Sequence, residues 1–160
     1  MDLILLRHGK AEDTNPEGDF SRILTEKGRE QSRRAGTLLK AAGTLPDIVL
    51  TSPLIRARQT ADEFCQAAGI AGPVIQDWLA SGFPPATGLN ELVTYREFER
   101  VAIIGHEPDF SLLITLLLGA SRGSINMKKG ALACVRVFPP ACQGRLLFLI
   151  PPKLGDDRDE

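Results

Sequence analysis

Leu3-Ile4-Leu5-Leu6-Arg7-His8-Gly9 is a short apolar run that ends in a cation, a histidine and a glycine turn. The design recurs at Val101-Ala102-Ile103-Ile104-Gly105-His106-Glu107, and His8 and His106 are the only histidines of the chain. Neither run alternates polar with apolar residues, which is the pattern of a strand covered by helices on both faces. In an open parallel α/β sheet, ligands bind at the carboxyl edge of the strands, so both imidazoles are expected at one edge and in one site. A third run, Ile48-Val49-Leu50, leads into Ser52-Pro53-Leu54-Ile55-Arg56-Ala57-Arg58-Gln59-Thr60 and brings another arginine to that edge.

Helical patterns lie between these runs. Thr25 is placed to cap a helix reaching about Ala42 with Gly43 as its stop, and Ser52 to cap another with Pro53 at its first position. Val74-Ile75 reads as a fourth short strand, and Leu89, Leu92, Val93 and Phe98 repeat at helical spacing before the run at 101. Ala131 to Phe138 and Arg145 to Ile150 are β-rich and are separated by Pro139-Pro140-Ala141-Cys142-Gln143-Gly144, which predicts a terminal hairpin. The expected fold class is α/β: a doubly wound, mostly parallel sheet with helices on both faces and an antiparallel strand from the C-terminal hairpin. Residues 1–152 are expected to form a single domain and 153–160 a disordered acidic tail. Ser81 to Gly88 reads as a loop on the rim of the site.

Composition narrows the function without naming it. At 160 residues the chain suits one domain, which buries roughly 70% of its unfolded surface without help from a metal or disulfide. With 43% hydrophobic residues, 24% charged and a formal net charge of -1, it has no global bias toward nucleic acid or membranes, so anion selectivity must be local. Cys65, Cys134 and Cys142 are odd in number and widely spaced, which suits neither a disulfide framework nor a metal site and fits a reducing cytoplasm. Met1-Asp2 leads into four apolar residues and then Arg7, unlike a secretory leader. The longest apolar helix candidate, Leu112 to Leu118, is far short of the roughly 20 residues that span a bilayer. A cytoplasmic location is expected, with neither nucleic acid nor membrane as partner.

The edge residues suit phosphoryl chemistry. A phosphoryl group in transfer spreads charge over three oxygens, so catalysis is mostly positioning and cationic stabilisation in line with a nucleophile. A neutral imidazole is a competent nucleophile near pH 7, and neighbouring guanidiniums favour the neutral form. Arg7 and Arg56 would clamp phosphate with fork geometry while lowering the proton affinity of His8. Gly9 allows a sharp turn and is expected to aim its N–H at a phosphate oxygen, and His106 to donate to the same group. Arg58, two residues past Arg56 on one helix, points elsewhere and reads as a surface charge. Lys128-Lys129 reads as a solvated turn.

These residues resemble the histidine phosphatase superfamily, the phosphoglycerate mutase-like fold, whose signature is Arg7-His8-Gly9 here. Arg22-Ile23-Leu24-Thr25 with Gly28, then Ser52-Pro53 with Arg56-Ala57 and Gln59-Thr60, then Gly105-His106 with Pro108, follow in the family's order over most of the chain. The resemblance implies that His8 is phosphorylated transiently, that Arg7, Arg56 and His106 bind phosphate, and that neither metal nor other cofactor is required. It adds Arg22 as a further phosphate neighbour, against the competing reading of a surface ion pair with Asp19 or Glu26.

The short chain is most similar to the SixA-type phosphohistidine phosphatases. Larger members carry a cap and usually a glutamate that protonates the leaving group, and neither is recognisable here. Lys10 stands where many mutases and sugar phosphatases have an acidic residue or glutamine. Asp77 and Glu91 are the weak candidates for a general acid. An alkoxide leaving group needs a proton, whereas the imidazole of a phosphohistidine has a nitrogen whose proton affinity is near neutrality. The expected substrate is therefore a phosphohistidine on a protein such as a phosphotransfer domain or phosphocarrier. The alternatives are a small-molecule phosphomonoesterase, acting on a sugar phosphate or nucleotide, and a phosphate-binding module without turnover.

Overall fold

Leu3 and Leu5 pack on one side of the first strand, Ile4 and Leu6 on the other, and all four are buried. A strand that is apolar on both faces has to be covered twice. The computed structural model, which describes residues 1–154, meets this requirement with a six-stranded sheet and four α-helices. The strands are β1 (Asp2–Arg7), β2 (Ile48–Thr51), β3 (Val74–Ile75), β4 (Arg100–Gly105), β5 (Leu132–Val137) and β6 (Gly144–Ile150). The helices are α1 (Glu26–Ala41), α2 (Ile55–Ala68), α3 (Pro85–Leu92) and α4 (Asp109–Leu118).

The strand order is β3-β2-β4-β1-β5-β6. The first four run parallel, β5 is antiparallel to β1, and β6 returns antiparallel to β5. One face is covered by α1 and α2, which set Ala35, Leu39, Ala57 and Phe64 against Ile4, Leu6, Ala102 and Ile104. The other is covered by α3 and α4, with Leu89, Leu92, Phe110 and Leu113 against Leu3, Leu5, Val101 and Ile103. The α/β, doubly wound reading and the terminal hairpin are both seen.

The sheet order positions the site. Because β4 lies between β1 and β2, three carboxyl ends meet at one edge where the connections change face, and a crevice opens there. Arg7 stands opposite Gly105, and Thr51 opposite Ile104, so the next residues of the three strands, His8, His106 and Ser52, are neighbours.

Thr25 caps α1 as expected, accepting the Gly28 N–H at 3.2 Å, and Gly43 takes a left-handed conformation just past the helix. Three expectations change. Ser52 does not cap α2, which starts at Ile55 after Leu54; its hydroxyl accepts the Leu54 N–H at 3.2 Å and holds His106 instead. Ser81 to Gly88 is a loop only as far as Pro84, because Pro85, with φ preset for a helix, opens α3. The helical spacing from Leu89 through Phe98 breaks after Leu92 into a 3-10 turn, Val93–Tyr95, and Phe98 is exposed rather than in the core. The acidic-tail expectation lies, from residue 155 onward, outside the described residues. Among the described residues no helix is long and apolar enough to cross a membrane.

Candidate active site

His8 is locked by its own backbone. Its Nδ1 lies 2.8 Å from the Gly9 carbonyl oxygen. A carbonyl only accepts, so Nδ1 carries the hydrogen and the neutral ring keeps its lone pair on Nε2. The main chain is held as firmly: the His8 N–H donates to the Gly105 carbonyl at 3.0 Å, and the Gly130 N–H reaches the carbonyls of Arg7 and His8, both at 3.1 Å. The residue that follows must be glycine, because a Cβ at Gly9 would overlap the Gly28 carbonyl at the start of α1. The Gly9 N–H donates to the Thr60 hydroxyl at 3.1 Å, and that hydroxyl donates to the Arg56 carbonyl at 2.8 Å. The expected Gly9 N–H contact with phosphate is thus corrected: α2 supplies the acceptor, and the bond ties the His8 turn to the helix that carries Arg56.

His106 is held by one nitrogen only. Its Nε2 lies 2.8 Å from the Ser52 hydroxyl, while its buried Nδ1 has no hydrogen-bond partner. The two imidazole centroids are 5.2 Å apart at an angle of 56°. Both rings are neutral near pH 7. Burial is the main reason: it pushes His8 down to about 3 against the weaker opposing effect of the Gly9 bond, with the neighbouring His106, Arg56 and Arg7 adding to the shift. Burial and then the Arg56 charge push His106 down to about 4. The guanidiniums that the sequence suggested as the cause therefore act second to desolvation.

Arg56 is only 5% exposed. Its two terminal nitrogens are occupied by Asp19, one on the main-chain carbonyl at 2.9 Å and the other on Oδ2 at 3.2 Å, and its buried Nε has no hydrogen-bond partner. Arg7 donates to the Met127 carbonyl at 2.7 Å, and its charge acts on both histidines. Arg22 takes the ion-pair reading. It pairs with Asp19 Oδ1 at 2.8 Å, and through Asp19 it stands close enough to Arg56 for the two charges to act on each other. Arg58 is exposed.

Arg7, His8, Arg56 and His106 are thus brought together at the switch-point edge. Asp77 and Glu91 are both exposed, and neither is hydrogen-bonded to a residue of the cluster. Ser52, Thr60 and Asp19 were missed as members of the site. Thr60 and Ser52 stood inside the quoted run after β2, and Asp19 was seen only as a partner for Arg22. Two carboxylates beyond His106 are committed to the backbone: Glu107 accepts the Ser111 N–H at 2.9 Å, and Asp109 accepts the Gly82 N–H at 2.7 Å, which fastens the rim loop to α4. Burial pushes both carboxyl groups upward.

Comparison with known proteins gives a consistent picture. A family profile described as the histidine phosphatase superfamily (branch 1) matches residues 3–79. An uncharacterised protein of Picosynechococcus is 31% identical over 165 residues, covering 96% of this chain and 98% of that protein. A 2,3-bisphosphoglycerate-dependent phosphoglycerate mutase of Corynebacterium diphtheriae is 41% identical over 103 residues, so the chain spans only 41% of the length of that relative. Among solved structures, an Agrobacterium tumefaciens protein described as the putative phosphohistidine phosphatase SixA superposes with a TM-score of 0.80 at 26% identity, over 94% of this chain and 98% of that one. The protein histidine phosphatase SixA complexed with tungstate superposes at 0.85, with 24% identity over 95% and 97% of the two chains, and supports the fold.

Proposed function

The chain belongs to the histidine phosphatase superfamily, and from that premise we propose that it hydrolyses phosphohistidine on a partner protein such as a phosphotransfer domain or phosphocarrier. One observation carries the reading. The His8 ring, whose Nε2 is left free by the Nδ1 bond, lies 5.2 Å centroid to centroid from the His106 ring and within reach of the Arg56 charge, and Nε of Arg56 and Nδ1 of His106 are buried polar atoms without a hydrogen-bond partner. Buried polar groups are normally paired, and an orphan beside a nucleophile marks where a substrate oxygen belongs.

In this reading His8 Nε2 attacks phosphorus in line with the departing group. The phosphoryl oxygens rest on Arg56 Nε, on the Arg7 guanidinium and on His106 Nδ1, which bears a proton when the Ser52 hydroxyl donates to Nε2. Arg22 adds positive charge from behind Asp19. Water then attacks the phosphohistidine and releases phosphate. His8 is well suited to both halves. Its Nδ1–H bond to the Gly9 carbonyl keeps the distal proton on the ring, so the ring leaves phosphorus as neutral imidazole rather than as an anion.

The macromolecular substrate is supported by the rim. Next to Asp19 the loop exposes Phe20 and Ile23, apolar surface beside a phosphate pocket. The test is phosphate release from a phosphohistidine-bearing protein beside a panel of sugar phosphates, nucleotides and a phosphoserine peptide, with His8→Ala as control. Selective release that depends on His8 is expected. Preference for a small phosphomonoester would replace the substrate class, and no release from any of them would favour a binding module.

A further inference from the structure

Asp19 occupies an unusual place. Its carboxylate bridges two guanidiniums, Oδ1 to Arg22 at 2.8 Å and Oδ2 to Arg56 at 3.2 Å, yet the side chain is 64% exposed. An ionised carboxylate has about four acceptor positions, so these bonds leave acceptor capacity on the solvent side. The group is also held in place. Its own carbonyl accepts from Arg56, the loop is closed by the Ala11–Leu24 bridge, and the Leu24 N–H donates to Gln59 of α2 at 2.8 Å. Within the loop Asn15 bonds Glu12 and the Ser21 carbonyl, and Arg22 Nε bonds the Glu12 carbonyl. Of the charges that act on His106, those of Arg56, Asp19 and Arg7, Asp19 is the one anion.

We propose that Asp19 is the specificity-determining carboxylate of the pocket, accepting the distal imidazole N–H of a phosphohistidine substrate and so holding the leaving ring in its protonated form. The inference rests on the phosphohistidine reading above. Asp19 is the exposed anion beside Arg56, so a group that departs toward solvent from a phosphoryl group held by Arg56 would leave past it.

The electron balance explains the need. The His8 Nε2 lone pair forms the new bond to phosphorus, and the pair of the breaking bond returns to the substrate ring nitrogen. If the distal nitrogen carries a proton, the ring departs as neutral imidazole and no acid has to act. If it does not, an imidazolate must leave. A neighbouring carboxylate favours the protonated ring. Asp19 would thereby do for the substrate ring what the Gly9 carbonyl does for His8. The Arg22 hydrogen bond, aided by the Arg56 charge, holds the Asp19 carboxyl below its usual range, so it is ionised near neutral pH. The charged or titratable groups facing it are Arg22 of its own loop, Arg56 of α2 and His106 beyond β4.

The experiment compares kcat/KM on a phosphohistidine peptide with kcat/KM on an aryl phosphate, whose leaving group needs no proton, for the native protein, D19N and D19E. The ratio is the readout, because any loosening of Arg56 or partial misfolding affects both substrates alike. D19N is expected to lower the ratio about tenfold or more and to move the alkaline limb of the phosphohistidine profile to lower pH, and D19E to restore part of both. An unchanged ratio, whether both activities fall together or rise together, overturns the proposal and leaves Asp19 as a holder or occupant of the arginines. A native protein that cleaves the aryl phosphate through His8 but not the phosphohistidine overturns the substrate reading itself, and this inference with it.

Discussion

The two histidine turns begin alike and end differently. At the end of β1, His8 has its Nδ1 on a carbonyl, its main-chain N–H on Gly105, and the next N–H on Thr60. At the end of β4, His106 has one nitrogen on Ser52 and the other unpartnered in a buried place. The first turn is closed around a ring held in one orientation and one tautomer, as the proposed attack requires. The second keeps a polar atom unsatisfied, the place the proposed function gives to a substrate oxygen. The family resemblance separates the two rings by role, whereas their difference in hydrogen bonding is visible only in the structure.

Breaking the closed turn has the larger effect. His8→Ala is expected to lower phosphate release by about 10⁴-fold or more, because a covalent route is lost with its nucleophile. Trapping with labelled substrate checks it: the native protein carries an acid-labile label and the variant carries none. His106→Ala removes a donor to the developing charge and is expected to cost about 10²- to 10³-fold, mainly in kcat, as measured by steady-state kinetics. Equal losses in the two variants would erase the distinction between the turns.

Acid sharpens the comparison from the side of stability. Burial holds the folded pKa near 3 for His8 and near 4 for His106, whereas the unfolded chain protonates both near 6.5. Below about pH 6.5 the unfolded state binds more protons than the native state, so stability falls as pH falls toward the folded values, and it is unaffected by these rings above about pH 7.5. The urea midpoint should therefore drop between about pH 6.5 and 5, before the paired carboxylates titrate. A double substitution of the histidines by asparagine should flatten that interval, and a native midpoint constant across it would contradict the buried, neutral pair.

Thr60→Val keeps the shape of the side chain but leaves the Gly9 N–H without its acceptor. It is expected to cost about 1–3 kcal/mol in stability, read from denaturant unfolding, with a fall in kcat larger than any change in KM. At the small end, Arg58→Ala removes an exposed charge and should stay within about 0.5 kcal/mol of the native stability with unchanged kinetics.

Much of this was legible because local chemistry and periodicity agreed. Leu3 to Leu6 and Val101 to Ile104 are apolar on both faces, and Thr25 and Gly43 mark one helix start to stop, so the sandwiched parallel sheet and the edge that gathers the two histidines follow from short-range pattern alone. Ser52 was the instructive failure. A serine followed by proline is a good helix start, and the local signal lost to His106, a residue 54 positions away that only the placement of β4 next to β2 brings within 2.8 Å. Thr60 was in view as part of a motif, but the N–H that it receives comes from the turn after β1, which β4 separates from β2 in the sheet.

By itself, then, the sequence determined the layer architecture, the two histidine turns and the arginines that accompany them, since each depends on residues close together along the chain. The tertiary structure decided which nitrogen of His106 is free, that burial before charge keeps both rings neutral, that Gly9 serves packing and a hydrogen bond to α2, and that Asp19 reaches Arg56. Those properties arise from contacts across the sheet edge and from exclusion of water. Both are set when β4 slots between β1 and β2, and no local stretch of the chain encodes that juxtaposition.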